Sequence, residues 1–266
     1  MTTTGRLSEV SAYPMEPGSI PDREVEAGSY TLRFARSAED LDRVLQLRYR
    51  IFNLELGEGL DDSHQTGRDD DGLDPRFHHL MIVHRATDTV VGTYRLQTAE
   101  MAQHFGGFYG SQEFDLSTIP PAIALQSVEI GRACVAREYR NGRVLHLLWR
   151  GLAEYLAWNG KHVLFGCCSL TSQDPALGLA VHRHLAGIGS VHPSIQVLPR
   201  PECRLELPAH ATLPKPSVPA LFQTYLNVGA KVLGPPAIDR LFKTIDWLVI
   251  LDTREIDSAT YRFFFR

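Results

Sequence analysis

Apolar and polar residues alternate along several short segments of the chain, and this two-residue period is typical of β-strands. The pattern predicts strands at 30–34, 79–85, 90–97, 125–135, 162–169 and 247–251. Elsewhere apolar residues recur every three or four positions, which predicts helices at 37–56, 143–158, 174–187, 220–233 and 255–264, with a further short helix between 234 and 247. Because strands and helices alternate without an internal repeat, we expect a layered α/β domain.

Two segments lack any period. Residues 1–28 are rich in Ser, Thr, Gly, Pro and Glu, so they bury too little apolar surface to offset the entropy of ordering. We therefore predict a flexible leader at 1–28 and a single domain at 29–266. Residues 57–77 form a polar stretch that is longer than most connections in a compact domain. A stretch of this kind is usually a mobile lid or a binding loop.

The composition narrows the class of protein. The chain has 266 residues, of which 44% are hydrophobic and 22% charged, and its net charge is −4. No apolar run approaches the roughly 20 residues that cross a bilayer, and the N-terminus lacks a signal-peptide pattern, so a cytoplasmic location is expected. Without a lysine- or arginine-rich run, no nucleic-acid partner is expected. The four cysteines have no metal-binding spacing, which predicts buried thiols and no metal site.

The first helix carries a charge, Arg48, in the middle of its apolar stripe. A buried charge is tolerated only when it is compensated, so we expect a carboxylate of the 57–77 loop, Glu129 or the substrate beside it. The alternative is that the side chain extends from the edge of the stripe into solvent.

A strand, a short loop with one glycine and a long helix follow one another around residue 140. The start of such a helix presents unpaired N–H groups and the positive end of the helix dipole, which suits a phosphate. An ordinary solvated turn is the alternative. The candidate residues are Val135, Arg137, Arg140, Asn141, Gly142, Arg143 and Val144.

Several strings of residues together carry a family resemblance. They are Val91-Gly-Thr-Tyr-Arg-Leu96, Gln112-Glu-Phe-Asp115, Glu129-Ile-Gly-Arg132 and Tyr139-Arg-Asn-Gly142, and the similarity extends over about 30–266. In these residues the chain resembles the ornithine N-acyltransferases, sometimes labelled hemolysin-like, of the GNAT superfamily. N-acyl amino acid synthases and acyl-homoserine lactone synthases are related. The phosphate loop departs from the superfamily pattern, because it has only one of the two usual glycines.

The resemblance implies a fold, a reaction and partners. The fold would be a GNAT-like three-layer α/β fold with a central mixed, twisted sheet and helices on both faces. The reaction would move a 3-hydroxy fatty acyl group from an acyl carrier protein thioester to the α-amine of an amino acid, most commonly ornithine, in aminolipid synthesis. The carrier's acyl-phosphopantetheine would be a cosubstrate, no cofactor would be tightly bound, and peripheral contact with the inner membrane would suit a lipid product.

The resemblance also implies roles for individual residues. Glu129 would accept the proton of the amine, and arginine residues would hold the amino acid's carboxylate, as a bidentate guanidinium does well. The matching positions are Arg48, Arg95 and Arg132, with Phe52 beside them. Loop aspartates would match the side-chain cation of ornithine, and the candidates are Asp61, Asp62, Asp69, Asp70 and Asp71.

Each of these residues also has a structural interpretation. Glu129 and Arg132 could form an ion pair only if a bulge intervenes, because three residues along one strand point to opposite faces. Arg95 could lie on a solvated face, and the aspartates could simply keep a loop soluble. Two rival functions stay open as well. One is a coenzyme A-dependent acetyltransferase of another small amine, and the other is a non-catalytic, hemolysin-like protein.

Overall fold

The computed structural model describes residues 13–207 and 212–265. Within these ranges, eleven strands are present, and nine of them form one mixed sheet. The strands are β1 Val25–Ala27, β2 Tyr30–Phe34, β3 His78–His84, β4 Thr89–Thr98, β5 Phe114–Asp115, β6 Ser127–Val135, β7 Val163–Leu170, β8 Leu198–Pro199, β9 Lys231–Val232, β10 Ala237–Asp239 and β11 Thr244–Asp252.

The helices connect these strands and cover both faces of the sheet. They are α1 Ala38–Tyr49, α2 Ser63–Thr66, α3 Ala99–Phe105, α4 Pro121–Leu125, α5 Arg143–Trp158, α6 Pro175–Gly187, α7 Ala220–Val228 and α8 Ser258–Phe265. Leu80 of β3 packs against Gly151 of α5. Its neighbour His79 points to the opposite face, towards a carboxylate that also binds Arg48 of α1. Helices α1 and α5 therefore lie on opposite faces, which confirms the expected three-layer GNAT-like architecture.

The strand order is β1-β2-β3-β4-β6-β7-β11-β10, with β9 paired to β11. Strands β6 and β7 are the parallel pair, and they are hydrogen-bonded only from 127–129 to 163–165. Beyond Glu129 the two strands separate. Next to this point, the carbonyl oxygen of Ile130 faces Gly166 so closely that a Cβ on Gly166 would overlap it. The sheet thus has a gap at its centre, and a glycine borders it.

The prediction of a flexible leader is wrong for residues 13–28. Ile20 is buried, and Val25–Ala27 is an edge strand that pairs with β2. The guanidinium of Arg36 donates hydrogen bonds to the carbonyl oxygens of Ile20 and Pro21, which fixes the segment on the domain. The segment shows no sequence period because its few apolar residues dock singly. Residues 1–12 lie outside the described part of the chain.

The C-terminal third also differs from the prediction. Helix α7 ends at Val228, because Gly229 adopts a left-handed φ of 107° that stops the helix. The next residues form β9 instead of the last helical turn. The predicted short helix before residue 247 is absent from the described structure, where β10 and a turn lead into a longer β11. Among the described helices, none is long and apolar enough to cross a membrane.

We predict that Gly166→Ala destabilises the fold by roughly 1–3 kcal/mol, the usual cost of forcing extra atoms into a packed site. The added methyl group meets a backbone carbonyl, which cannot rotate away as a side chain does. Urea unfolding measures the change. Gly187→Ala is the matched control, because no atom lies within 4 Å of its Cβ position, and an equal loss in both variants would contradict the argument.

Candidate active site

A cavity of about 330 Å³ opens where β6 and β7 separate. Side chains from both faces of the sheet line it, so the cavity crosses the sheet through the gap. On one face lie Arg95, Glu129 and Asp246, and we call this the polar side. On the other lie Tyr94, Trp149 and Tyr225, and we call this the apolar side.

Strand alternation produces this division. Residues 94 and 95 of β4 point to opposite faces, as do residues 246 and 249 of β11. Val249 therefore faces the apolar side, where α5 and α7 supply Trp149 and Phe222. The hydroxyl of Tyr94 on β4 and the hydroxyl of Tyr225 on α7 hydrogen-bond to each other. Because polar and apolar walls meet at the gap, the cavity can accept a ligand with one end of each kind.

Glu129 is the last residue of β6 that pairs with β7, and its side chain lies on the polar side. Its side chain is buried, and its two oxygens accept hydrogen bonds from the backbone N–H groups of Tyr109 and Gly110, each at 2.6 Å. Burial raises the pKa of the Glu129 carboxyl to about 7, although these two N–H groups and Arg95 act in the opposite direction. A carboxylate that gains and loses a proton near neutral pH is suited to general base catalysis.

Arg132 shares the polar side with Glu129 because β6 contains a bulge. The register with β4 shifts between Thr93 and Arg95, and Arg132 has a left-handed φ of 47°. The guanidinium then lies 3.5 Å from the ring centroid of Phe242 and 5.5 Å from that of Phe52. Its Nη2 atom is buried without a hydrogen-bond partner in the described structure. Its Nε lies 3.7 Å from a carboxylate oxygen of Asp69, so the unpartnered Nη2 is the donor that remains for an anionic ligand.

Arg48 is compensated by loop carboxylates, as expected. It is fully buried, its Nε donates to Asp69 at 2.8 Å, and its Nη1 donates to Asp74 at 2.5 Å. Although burial acts to raise the pKa of the Asp74 carboxyl, Arg48, His79 and Arg95 hold it well below its usual range. Arg48 does not line the cavity. In this structure Arg48 is the cation of the loop carboxylates, because its Nε, Nη1 and Nη2 all donate to Asp69 or Asp74.

Arg95 does line the cavity, but its charge is also balanced within the chain. Its Nη1 donates to Asp71 at 2.6 Å, and the guanidinium lies 4.3 Å from the ring centroid of Phe77 and 4.6 Å from that of Tyr109. The solvated-face interpretation is wrong, since the residue is only 3% exposed. Arg95 thus fixes Tyr109, whose N–H group binds Glu129.

The aspartates of the 57–77 loop do not reach the described cavity lining. Asp69 and Asp71 neutralise Arg48 and Arg95, while Asp61 pairs with Lys243 at 2.7 Å. Asp62 and Asp70 are exposed at the surface. The buried members of this cluster are counter-ions of the protein's own arginines, and binding of the acceptor's side chain by the cluster stays a prediction. The loop itself is tied to the domain by these contacts, and it contains α2.

Two acidic residues that the sequence analysis did not identify lie at or beside the cavity. Asp246 lines the cavity, and Glu113 lies beside it, with carboxylate oxygens of both within 4.8 Å of each other and of the Cys167 sulfur. Burial, together with the charge of Asp246, raises the pKa of the Glu113 carboxyl. The sequence contained one indication of this pair, because Glu113 lies within the string at 112–115 that carries the resemblance. This trio, and Asp70 with Asp71 and Asp74, are the described groups with metal-ligand spacing.

The candidate phosphate residues form the connection from β6 to α5. Gly142 caps α5 with a left-handed φ of 85°, and the N–H of Arg143 donates to the side chain of Asn141. Arg140 pairs with Glu55 at 2.5 Å and donates to the carbonyl oxygen of Val135. Arg137 and Arg143 are exposed, whereas Val144 is buried against the sheet. The connection therefore presents positive charge at the start of α5.

We predict that Arg48→Met destabilises the protein by about 3–5 kcal/mol, because it leaves two buried carboxylates without their cation. Arg43→Met, on the same helix, removes a pair with the exposed Asp88 and is expected to cost less than about 1 kcal/mol. Denaturant unfolding at neutral pH compares the two. Similar losses would mean that the buried network contributes no more than a surface pair.

The same network predicts a dependence on acid. The pKa values of Asp69 and Asp74 lie below their unfolded values, so their stabilisation is present above the unfolded aspartate pKa of about 4 and is lost as pH falls through the folded values. The denaturant concentration at the midpoint of unfolding should therefore fall steeply below about pH 4 for the wild type. For Arg48→Met the same midpoint should depend less on pH. Parallel curves would contradict the assignment.

Comparison with known proteins agrees with this geometry. Residues 47–150 match the acetyltransferase (GNAT) domain family. An L-ornithine N(alpha)-acyltransferase of Rhodobacter capsulatus is 31% identical over 253 residues, which are 90% of this chain and 95% of the relative. The enzyme of the same name from Brucella abortus is 32% identical, over 87% of each chain, and that of Rhizobium meliloti is 28% identical, over 99% and 94%. At this identity and coverage, the chain belongs to the L-ornithine N(alpha)-acyltransferase family.

Proposed function

We propose that this protein transfers a fatty acyl group from the pantetheine thioester of an acyl carrier protein to the α-amine of ornithine. The observation that carries the proposal is the cavity at the gap, which brings Glu129 and the open guanidinium of Arg132 to the same side of the sheet. An α-amino acid carries its amine and its carboxylate on the same carbon. Glu129 and Arg132 are the chemical complements of these two groups.

The reaction is an aminolysis at the gap. Arg132 holds the carboxylate of the acceptor, and Glu129 takes a proton from the attacking nitrogen directly or through one water. A C–N bond forms and the C–S bond breaks, and the sulfur leaves as a thiol once it is protonated. Burial raises the pKa of the Cys167 thiol well above its usual value, so this cysteine stays protonated and is not the nucleophile.

The apolar side of the cavity favours a long acyl group over an acetyl group. Tyr94, Trp149, Phe222 and Val249 surround it, and all four are buried. A hydrocarbon chain placed there gains roughly 0.8 kcal/mol for each buried methylene, whereas an acetyl group would leave most of this surface without a partner. This observation weighs against an ordinary acetyltransferase, the rival function of the same class.

The start of α5 is where the donor's phosphate would bind. Gly142 and Arg143 expose the N-terminal end of the helix dipole, and Arg137 and Arg143 add positive charge around it. An acidic carrier protein needs a positive landing surface next to its pantetheine phosphate. Arg140 contributes less than expected, because its charge is shared with Glu55.

We predict that Glu129→Gln lowers kcat about 10²- to 10⁴-fold, as is usual when a general base is removed. In the wild type, the carboxyl's pKa of about 7 means that kcat rises with pH up to about 7 and then levels off. The variant should lose this limb. Gln can accept from one of the two N–H groups but not both, so a stability cost of roughly 1–3 kcal/mol is expected and the melting temperature must be measured alongside.

The function itself is tested with purified protein, ornithine and either 3-hydroxyacyl carrier protein, the matching acyl-coenzyme A, or acetyl-coenzyme A. Mass spectrometry is expected to detect N-acylornithine with the carrier-linked donor. Turnover with acetyl-coenzyme A alone would support the acetyltransferase function instead. Absence of any acylated amine with all three donors would contradict the proposal.

Carrier docking is tested by reversing Arg137 and Arg143 to Glu. The double variant should raise the KM for acyl carrier protein at least tenfold and weaken its salt dependence, because the lost attraction is electrostatic. A short acyl-pantetheine phosphate should be affected much less. Arg76→Glu with Arg183→Glu, both exposed, is a control of equal charge change. Equal losses with both donors would restrict these arginines to binding the phosphate.

A further inference from the structure

We propose that Glu113 and Asp246 form a subsite for the primary ammonium group at the end of the acceptor's side chain. This inference rests on the proposed function and names the part of the same cavity that selects a diamino acid. The loop aspartates that could have filled this role are counter-ions of Arg48 and Arg95. The cation of the acceptor therefore needs other partners.

Asp246 lines the cavity and Glu113 lies beside it, and each has one buried oxygen without a hydrogen-bond partner in the described part of the chain. Asp246 is 4% exposed and Glu113 is 5% exposed, and within the described residues Asp246 Oδ1 and Glu113 Oε2 have no hydrogen-bond partner. The other acids that line the cavity are occupied. Glu58 accepts from the hydroxyl of Thr171, and Asp239 accepts from the N–H groups at 241 and 242.

The pair lies at a suitable distance from Glu129. The N–H of Gly110, in the 3₁₀ turn Tyr109–Gln112, binds Glu129. Glu113 directly follows this turn, three residues after Gly110, and its N–H donates to the carbonyl oxygen of Gly110. At about 2 Å per residue, the two backbone positions are about 6 Å apart. Burial raises the pKa of the Cys167 thiol, and the nearby charges of Glu113, Asp246 and Glu129 all add to this rise. The four carbons that separate the two amine nitrogens of ornithine span a similar length.

An ammonium group would also correct an electrostatic imbalance. Two carboxylates at this separation repel each other when both are ionised, and burial adds to the cost. A primary ammonium has three donors, so it can satisfy both open oxygens at once. A metal ion is the less suitable occupant, because the third candidate ligand is the Cys167 thiol, and a thiol binds metal as a thiolate.

The test compares ornithine with norvaline, which has the same carbon chain without the second amine. Wild-type kcat/KM should favour ornithine, and Glu113→Gln or Asp246→Asn should reduce the value for ornithine about 10- to 100-fold while leaving that for norvaline nearly unchanged. Burial and the charge of Asp246 raise the pKa of the Glu113 carboxyl, so Glu113→Gln replaces a neutral acid and Asp246→Asn removes a buried charge. Both variants should therefore fold with equal or higher melting temperatures. Asp115→Asn, an exposed neighbour in the chain, is the control.

The outcomes separate this inference from the proposed function. If the wild type acylates no amino acid, the proposed function fails whatever the variants do. If the wild type prefers ornithine and both variants keep that preference, only the subsite is wrong. Calorimetric titration of ornithine in the absence of donor gives a second measurement, with binding to the variants expected to weaken at least tenfold. Loss of wild-type activity to a chelator, with recovery on adding Zn²⁺, would instead assign the trio to a metal.

Discussion

The buried positive charge of Arg48 is the constraint on which the rest of the site depends. A guanidinium without solvent contact must be neutralised nearby, and the chain does this by folding the 57–77 loop back so that Asp69 and Asp74 reach it. Asp74 then also contacts His79 and Arg95, which joins α1, the loop, β3 and β4 into one network. The polar side of the cavity is built against this network, and Arg95 joins the two because it belongs to the network and also lines the cavity.

Periodicity in the sequence was sufficient to predict most of the architecture. Helix α5 and the β3–β4 hairpin lie within one or two residues of their predicted bounds, because a regular apolar stripe reflects burial directly. The segment before β2 and the end of α7 were predicted wrongly. In both places the deciding factor is a contact or a glycine conformation, such as the left-handed Gly229, that leaves little trace in the local pattern.

The chemistry of the site was less predictable than its location. Glu129 and Arg132 were found from the family resemblance, and only the bulge decides that they share a face. The aspartate-rich loop was predicted as a binding site because a cluster of acidic residues is easily recognised in a sequence. Which cation each carboxylate neutralises depends on packing, which the sequence does not show. Asp246 was missed for the complementary reason, since one acid in an apolar strand gives no local sign that it faces a cavity.

The gap between β6 and β7 has a consequence for the order of events. Because the polar and apolar walls belong to opposite faces of one sheet, the proposed reaction places the donor's hydrocarbon chain on one side and the amino acid on the other, where they do not compete for space. Both substrates can therefore be present together, and the acyl group can pass between them in a single ternary complex without a covalent acyl-enzyme. The central sheet acts as a partition, and the proposed reaction brings the two reactants together at its gap, beside Glu129.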